Sequence, residues 1–360
     1  AMGLLYWRSF THWVGGMGVL VFLLAIVPMT RGSGASLHLL RAESPGPQVG
    51  KLVPKMHQTA KILYGIYVAL TLLQIILLLA GGMPLFDAVT TAFGTAGTGG
   101  FAVKNDSMAG YSFYLQTVVT VFMAVFGINF NIFYLLLIRE FAKAFFNEEL
   151  RVYLGIMLGS IALVTVNISH LYPSVREALH HAAFQVSSIM TTTGFATADF
   201  NLWPEFSRSL LVLLMVLGAC AGSTGGGIKT ARLIILFKSV RNEVWKMLHP
   251  RSVKLARMDG SILDEGTLYG VNAYMAVYCI IVAVSALLVS FDNFSFEPNV
   301  TAVFACLNNI GPGLGLVGPM GNYSAFSDFS KLVLTANMLI GRLEIFPILA
   351  LLMPTTWRRG

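Results

Sequence analysis

"SSIMTTTGFATADF", residues 187–200, decides how this chain folds. Three threonines and a glycine stand among residues that otherwise read as membrane-buried. Hydrocarbon offers no water to backbone N–H and C=O groups, so irregular chain at that depth must line an aqueous path or be enclosed by protein. On either side lie long apolar runs, residues 152–168 and 210–237. Others follow the same pattern at 12–28, 60–80, 113–138, 269–290 and 332–353. Each reaches or approaches the roughly 20 residues of a bilayer-crossing helix. With 56% hydrophobic and 11% charged residues and a mean hydropathy of +0.71, this is an all-α, polytopic membrane protein.

The formal charge of +7 raises the possibility of nucleic acid, so the placement of that charge matters. Arg31, Arg41, Lys51, Lys55 and Lys61 fall between the first two runs, and Arg139, Lys143 and Arg151 follow the third. Lys229, Arg232, Lys238, Arg241, Lys246, Arg251, Lys254 and Arg257 lie from the last part of the fifth run up to the sixth, and Arg358 and Arg359 end the chain. Basic residues thus gather on alternate loops, the positive-inside pattern of a cytoplasmic face. Residues 291–328, on the opposite side, are net acidic. This placement argues against a nucleic-acid surface. Cys220, Cys279 and Cys306 are scattered in apolar surroundings, without metal spacing or a disulfide framework. No cleavable signal peptide is evident, since the chain opens directly on a membrane segment.

Between the runs at 60–80 and 113–138 lies "GGMPLFDAVTTAFGTAGTGGF", too short and polar to cross a bilayer. Both flanking basic loops are cytoplasmic, so this segment must dip into the outer side and return. The event recurs with "SVREALHHAAFQVSSIMTTTGF" and again with "FEPNVTAVFACLNNIGPG". Each copy reads as helix, half-helix, Gly-rich turn, helix, which is an internal repeat. Aromatic, basic and glycine positions keep one offset in Tyr6/Arg8/Gly18, Phe206/Arg208/Gly218 and Phe329/Lys331/Gly341. The expected organisation is residues 1–57, the second helix of a first unit with its cytoplasmic loop, then units at 58–150, 151–266 and 267–360. Three and a half units suit a ring poorly, so the expectation is a chain whose N-terminal portion lies outside this sequence.

A short helix ending in a Gly-rich turn presents consecutive carbonyls and hydroxyls at one place. Rings of such oxygens replace the hydration shell of a small cation. Glycine permits the backbone conformations a Cβ forbids, and threonine adds a second oxygen. Small and hydroxylated residues also serve close helix packing, but three Gly turns on one side favour an ion path.

"MTTTGFATADFNLWPEFS", "NNIGPGLGLVGPMGNYSAFSDFSK" and "YWRSFTHWVGGMGVLVF" resemble the TrkH potassium-uptake subunits of the Trk/Ktr/HKT superfamily, over essentially the whole chain. The resemblance implies four helix–pore-loop–helix repeats around a pseudo-fourfold ion pore, in a homodimer in a bacterial inner membrane. It further implies a cytoplasmic TrkA-like nucleotide-binding regulatory ring, with K⁺ as the transported ion and no organic cofactor. Carried over by position, it places filter backbone at Ala96, Gly97, Thr98 and Gly99, at Thr191, Thr192, Thr193 and Gly194, and at Asn308, Asn309, Ile310 and Gly311. The family's first pore loop and leading helices have no counterpart in this sequence.

Arg342, in "TANMLIGRLEIFP", sits well within an apolar run, where an arginine is costly and normally faces a partner or an aqueous path. One reading is a structural pair on another helix; the other, which the resemblance shares, is a pore-lining gating cation. Glu344, two residues on, points to another helix face and is a poor direct partner. "GACAGSTGGGIKTARL" should break its helix at Gly222, Gly225, Gly226 and Gly227, either as a packing kink or as a gating loop anchored by Lys229. Its spacing misses that of a phosphate-binding loop and it follows no strand, so nucleotide binding is rejected. His180 and His181 lie on the second half-helix, where packing or hydrogen bonding outweighs metal binding. The basic loop 238–265 suits either lipid headgroups or a docked regulator. No catalytic constellation gathers at one depth, so the chain is not expected to be an enzyme. The competing reading is a secondary transporter with broken helices and a midplane site. It calls for repeats of inverted topology, whereas these copies share one polarity.

Overall fold

The computed structural model describes residues 2–16, 18, 56–250 and 256–353. The rest of the run at 12–28, the cations Arg31 to Lys55 and the C-terminal arginines lie outside the described residues. A lone helix, α1 (Met2–Gly16), comes first. Three units of like construction follow. The first has a long helix α2 (Met56–Ala80), a half-helix α3 (Leu85–Ala96) and a broken second helix, α4 (Phe113–Phe126) with α5 (Phe130–Leu137). A short helix, α6 (Phe141–Phe145), leads on. The second unit has α7 (Glu148–Ile168), half-helix α8 (Val175–Met190), then α9 (Glu205–Val216) and α10 (Thr230–Leu248). A two-stranded antiparallel hairpin, β1 (Arg257–Met258) and β2 (Ser261–Ile262), precedes the third unit. That unit has α11 (Glu265–Val289), half-helix α12 (Phe296–Leu307), then α13 (Asp328–Arg342) and α14 (Phe346–Leu352).

The long first helices α2, α7 and α11 are each apolar and long enough to cross a membrane, and the bent pairs α4–α5 and α13–α14 qualify as two more spans. Leu72, Leu73 and Ile76 on α2 and Ile280, Val284 and Leu287 on α11 stay exposed, as side chains facing lipid do. Helix starts are marked by polar caps: Ser112, Asn147, Ser174, Asp264 and Ser327 each accept a bond from a first-turn amide. The half-helices lie deepest. In α8, Phe184 and every residue from Gln185 to Met190 are buried; Val186, Ile189 and Met190 pack with Tyr153, Met157 and Val164 of α7 and Leu211 and Leu214 of α9, while Phe184 faces the first unit's core.

Two runs expected to be continuous are bent. Residues 113–138 turn by 90° between α4 and α5, and 332–353 turn by 115° between α13 and α14. At the first bend Gly127 closes α4, and the side chain of Asn129 accepts from the amide of Asn131 (2.9 Å), starting a new helix. At the second, Glu344 takes φ +57° and Pro347 sits in the first turn of α14, where its missing N–H costs no helical bond. The third break, 217–229, falls in the run expected to be interrupted.

Candidate functional site

The three half-helices end in turns of one backbone design. The residue after each C-cap is left-handed although none is glycine: Thr98 (φ +54°), Thr192 (+57°) and Asn309 (+55°). Two residues on stand Gly100 (+62°), Gly194 (+89°) and Gly311 (+109°). The hydrogen bonds match as well. Thr98, Thr192 and Asn309 donate to the carbonyls of Thr95, Ile189 and Cys306 (3.0–3.2 Å), and Gly99, Thr193 and Ile310 donate to Gly94, Ser188 and Ala305 (2.7–2.8 Å). By this register Gly97–Gly100 corresponds to Thr191–Gly194 and Asn308–Gly311. Gly100, one residue beyond the glycine singled out in the sequence, is the counterpart of Gly194.

The turns stand against one another in chain order. A Cβ on Gly100 would run into the carbonyl of Thr193, and one on Gly194 into the carbonyl of Ile310. A Cβ on Gly311 would meet nothing within 4 Å among the described residues. Positive φ and close approach of a neighbouring carbonyl both demand glycine at positions 100 and 194.

The hydroxyls, expected to face an ion, have protein partners. Thr191 Oγ1 donates to the Ser187 carbonyl (2.7 Å) and lies 2.8 Å from Thr193 Oγ1. Thr192 Oγ1 accepts from the Gly226 amide (2.6 Å), and Thr98 Oγ1 donates to the carbonyls of Gly97 (2.7 Å) and Thr224 (2.9 Å). These bonds brace the turns and leave the hydroxyls engaged with protein.

Residues 217–229 pass directly against all three turns. Besides the contacts of Thr224 and Gly226 just given, a Cβ on Gly225 would lie 3.1 Å from the Thr191 carbonyl, and one on Gly226 2.5 Å from the Asn308 carbonyl. The loop's ends are tied together where Gly218 donates to Ile228 (2.8 Å) and Ile228 to Val216 (3.2 Å). Its flank is laced to the break between α4 and α5: Cys220 donates to Gly127 and Phe130 donates to Gly222, both at 3.0 Å.

Arg342 ends α13 and reaches this loop. Its guanidinium donates to the carbonyls of Thr224 (3.3 Å) and, across the molecule, Gly15 of α1 (3.0 Å). Glu344, left-handed at the α13–α14 bend, turns away from it to an ion pair with Arg232 of α10, whose guanidinium also stacks 3.9 Å above the Tyr274 ring. Lys229 is 1% exposed and donates from Nζ to the carbonyl of Gly225, inside its own loop. His180 and His181 are hydrogen-bonded to protein, His180 Nε2 2.6 Å from Gln116 Oε1 and His181 Nδ1 3.0 Å from Thr197 Oγ1. The described residues hold no group of three His, Cys, Asp or Glu able to bind a metal.

Glu149 escaped the sequence reading. A carboxylate in the first turn of an apolar helix looks like helix-end chemistry, yet this one is 3% exposed and accepts from the amides of Ala221 (2.6 Å) and Ala231 (3.1 Å). Asn129, which restarts α5, lies 3.4 Å from its other oxygen.

Comparison with known proteins places this geometry in context. A family model described as TrkH, cation transport protein, matches residues 2–356. The Trk system potassium uptake protein TrkH of Salmonella typhimurium is 37% identical over 364 residues, 99% of this chain and 74% of that protein. The Trk system potassium uptake protein TrkG of Escherichia coli K12 is 32% identical over 358 residues, 98% of this chain and 73% of that protein. The crystal structure of the potassium transporter TrkH from Vibrio parahaemolyticus superposes with a TM-score of 0.83 at 32% identity, covering 99% of this chain and 74% of that one.

Proposed function

The chain belongs to the TrkH family of the Trk potassium uptake system, and from that premise we propose that it takes up K⁺ through a pore whose selectivity filter is the backbone of the three matched turns. It is a multi-pass inner-membrane protein and not an enzyme. One observation carries the reading: three turns share a left-handed residue, a hydrogen-bond register and a glycine, and consecutive turns abut glycine to carbonyl. In the proposed mechanism Gly97–Gly100, Thr191–Gly194 and Asn308–Gly311 supply carbonyl oxygens that replace the hydration shell of the ion. The threonine hydroxyls hold the turns rigid, which keeps the oxygens spaced for K⁺. The loop 217–229, packed against all three turns, blocks the path beneath them and must shift for ions to pass. Arg342 places a positive charge at that loop and raises the barrier to a cation. A homodimer and a TrkA-like nucleotide-binding ring complete the proposal; the relatives' naming as parts of a Trk system supports a further component, and the basic cytoplasmic loops offer it a face. The common polarity of the three units supports this pore over a transporter of inverted repeats.

⁸⁶Rb⁺ uptake into proteoliposomes, with unlabelled K⁺, Na⁺ or Li⁺ as competitors, tests the reading. Suppression by K⁺ far better than by Na⁺ is expected. Equal competition by Na⁺ refutes the filter, and a variant lacking residues 222–226 that takes up Rb⁺ no faster than the parent refutes the gate.

A further inference from the structure

One buried carboxylate joins the two shoulders of the intramembrane loop. Ala221 lies within the loop just before Gly222, and Ala231 lies in the first turn of α10, where the loop ends; both amides donate to the same oxygen, Oε1 of Glu149. The first-turn amides of a helix lack intrahelical partners. The α10 N-cap residue, Lys229, supplies no side-chain cap. Glu149, reaching over from α7, takes that part, and a carboxylate at a helix N-terminus is favoured by the helix dipole.

The base of this carboxylate is itself held. Asp259, in the turn of the β1–β2 hairpin, accepts from Asn147 Nδ2 (2.8 Å) and from the Glu148 amide (2.7 Å) at the start of α7. Lys238 of α10 pairs with Glu148 and donates to the carbonyl of Arg257 (both 2.6 Å). Beneath the loop, Met258 and Leu263 pack with Ala221, Ala231, Ile234 and Ile235. Two charge-assisted bonds from a fixed residue therefore bind the loop to α7, while nothing in ion conduction as derived above employs Glu149.

We propose that Glu149 is the positioning residue that clamps loop 217–229 against the three turns. The clamp rests on the reading of that loop as the gate, and it acts by releasing or holding both shoulders together. Opening the loop then requires the Ala221 and Ala231 amides to leave Glu149. A pull on α10, or on the hairpin seated against α7, reaches both bonds at once.

Cys220, buried beside Ala221, reports on the clamp directly. With Cys279→Ser and Cys306→Ala in the full-length protein, reconstituted in liposomes, its modification by a small methanethiosulfonate is timed alongside ⁸⁶Rb⁺ flux. Loss of two bonds to a charged acceptor should make Cys220 react about tenfold faster or more in Glu149→Ala, with flux raised severalfold. Glu149→Gln keeps an acceptor oxygen but loses the charge, and should fall between the parent and Glu149→Ala in both readouts. If the alanine variant fails to insert, Glu149→Asp, one methylene too short to serve both amides, replaces it. Unchanged Cys220 reactivity, in a protein whose flux does rise on deletion of residues 222–226, overturns the clamp and leaves the gate standing. Faster Cys220 reaction with unchanged flux overturns the gate itself. A glutamine variant as reactive as the alanine variant overturns the assignment to the acceptor oxygen.

Discussion

Gly99 and Gly100 are adjacent glycines with different duties, and a methyl group added to each separates them. Gly100 is left-handed and faces the Thr193 carbonyl, whereas Gly99 is not left-handed and the nearest obstacle to a Cβ on it is a side chain, the ring of His12. Forcing an L-residue into the left-handed region costs about 1–2 kcal/mol before any clash. Gly100→Ala and Gly194→Ala should therefore lower the preference for K⁺ over Na⁺ by at least about tenfold, with Gly99→Ala closer to the parent, as read from Rb⁺ competition curves. A cation beside the conduction path adds of order 1 kcal/mol to the barrier. Arg342→Ala should accordingly raise the rate of Rb⁺ uptake by roughly fivefold; a rate at or below that of the parent would contradict its gating role. At this scale the sequence was only partly legible. "TTTG" and "NNIG" each offer one glycine and so one register, but "AGTGG" offers three, and only the backbone hydrogen bonds choose among them. The partners of Arg342 and Glu344 depend on a bend that separates their directions, so helix spacing ruled out the wrong pairing without supplying the right ones.

Helices broken within the membrane leave ends that other elements must satisfy. The ion pair Arg232–Glu344 joins α10 to the α13–α14 bend, with side chains only 12% and 14% exposed. Removing one member of such a pair strands the other, at a cost of about 3–5 kcal/mol. Glu344→Gln should lower the midpoint of thermal unfolding in detergent by several degrees, and adding Arg232→Gln should restore part of the loss. At the head of α11, Asp264 accepts from both the hydroxyl and the amide of Thr267, which hold its carboxyl below the usual range, the hydroxyl most strongly. A lowered folded value means stability present above the unfolded value, about 4, and lost as pH falls through the folded one. Asp264→Ala should be less stable than the parent at pH 7, and the gap should close below about pH 4; a gap constant from pH 7 to 3 would remove the cap from the account. Long apolar runs and the half-helices between them could be read directly. The α4–α5 bend could not, because one glycine in a strongly apolar run reads as packing. Asn129, a capping residue two positions later, was the available signal.

Across the whole molecule, three turns drawn from residues far apart in the chain meet in one place. On the proposed reading an ion held there would bind the folded state alone, and such binding stabilises by about 2.7 kcal/mol when the ligand stands at 100 times its dissociation constant. K⁺ and Rb⁺ should protect the detergent-solubilised protein against thermal unfolding more than Li⁺ does, and Gly194→Ala should lose that protection; equal effects of all three ions would count against the shared site. The overall architecture was visible in the sequence because hydropathy and turn glycines repeat. Glu149 was not, since its partners are backbone amides, which carry no residue signature. Lacing of loop 217–229 to the α4–α5 break gives the repeats a joint history. The bonds from Cys220 to Gly127 and from Phe130 to Gly222 join polar groups of the first unit to polar groups of the second. During synthesis, residues 127–130 emerge well before 220–222 and must wait, in or near lipid, for partners still inside the ribosome. Insertion of the first unit is therefore provisional until the second arrives, and drift in either break is answerable to the other.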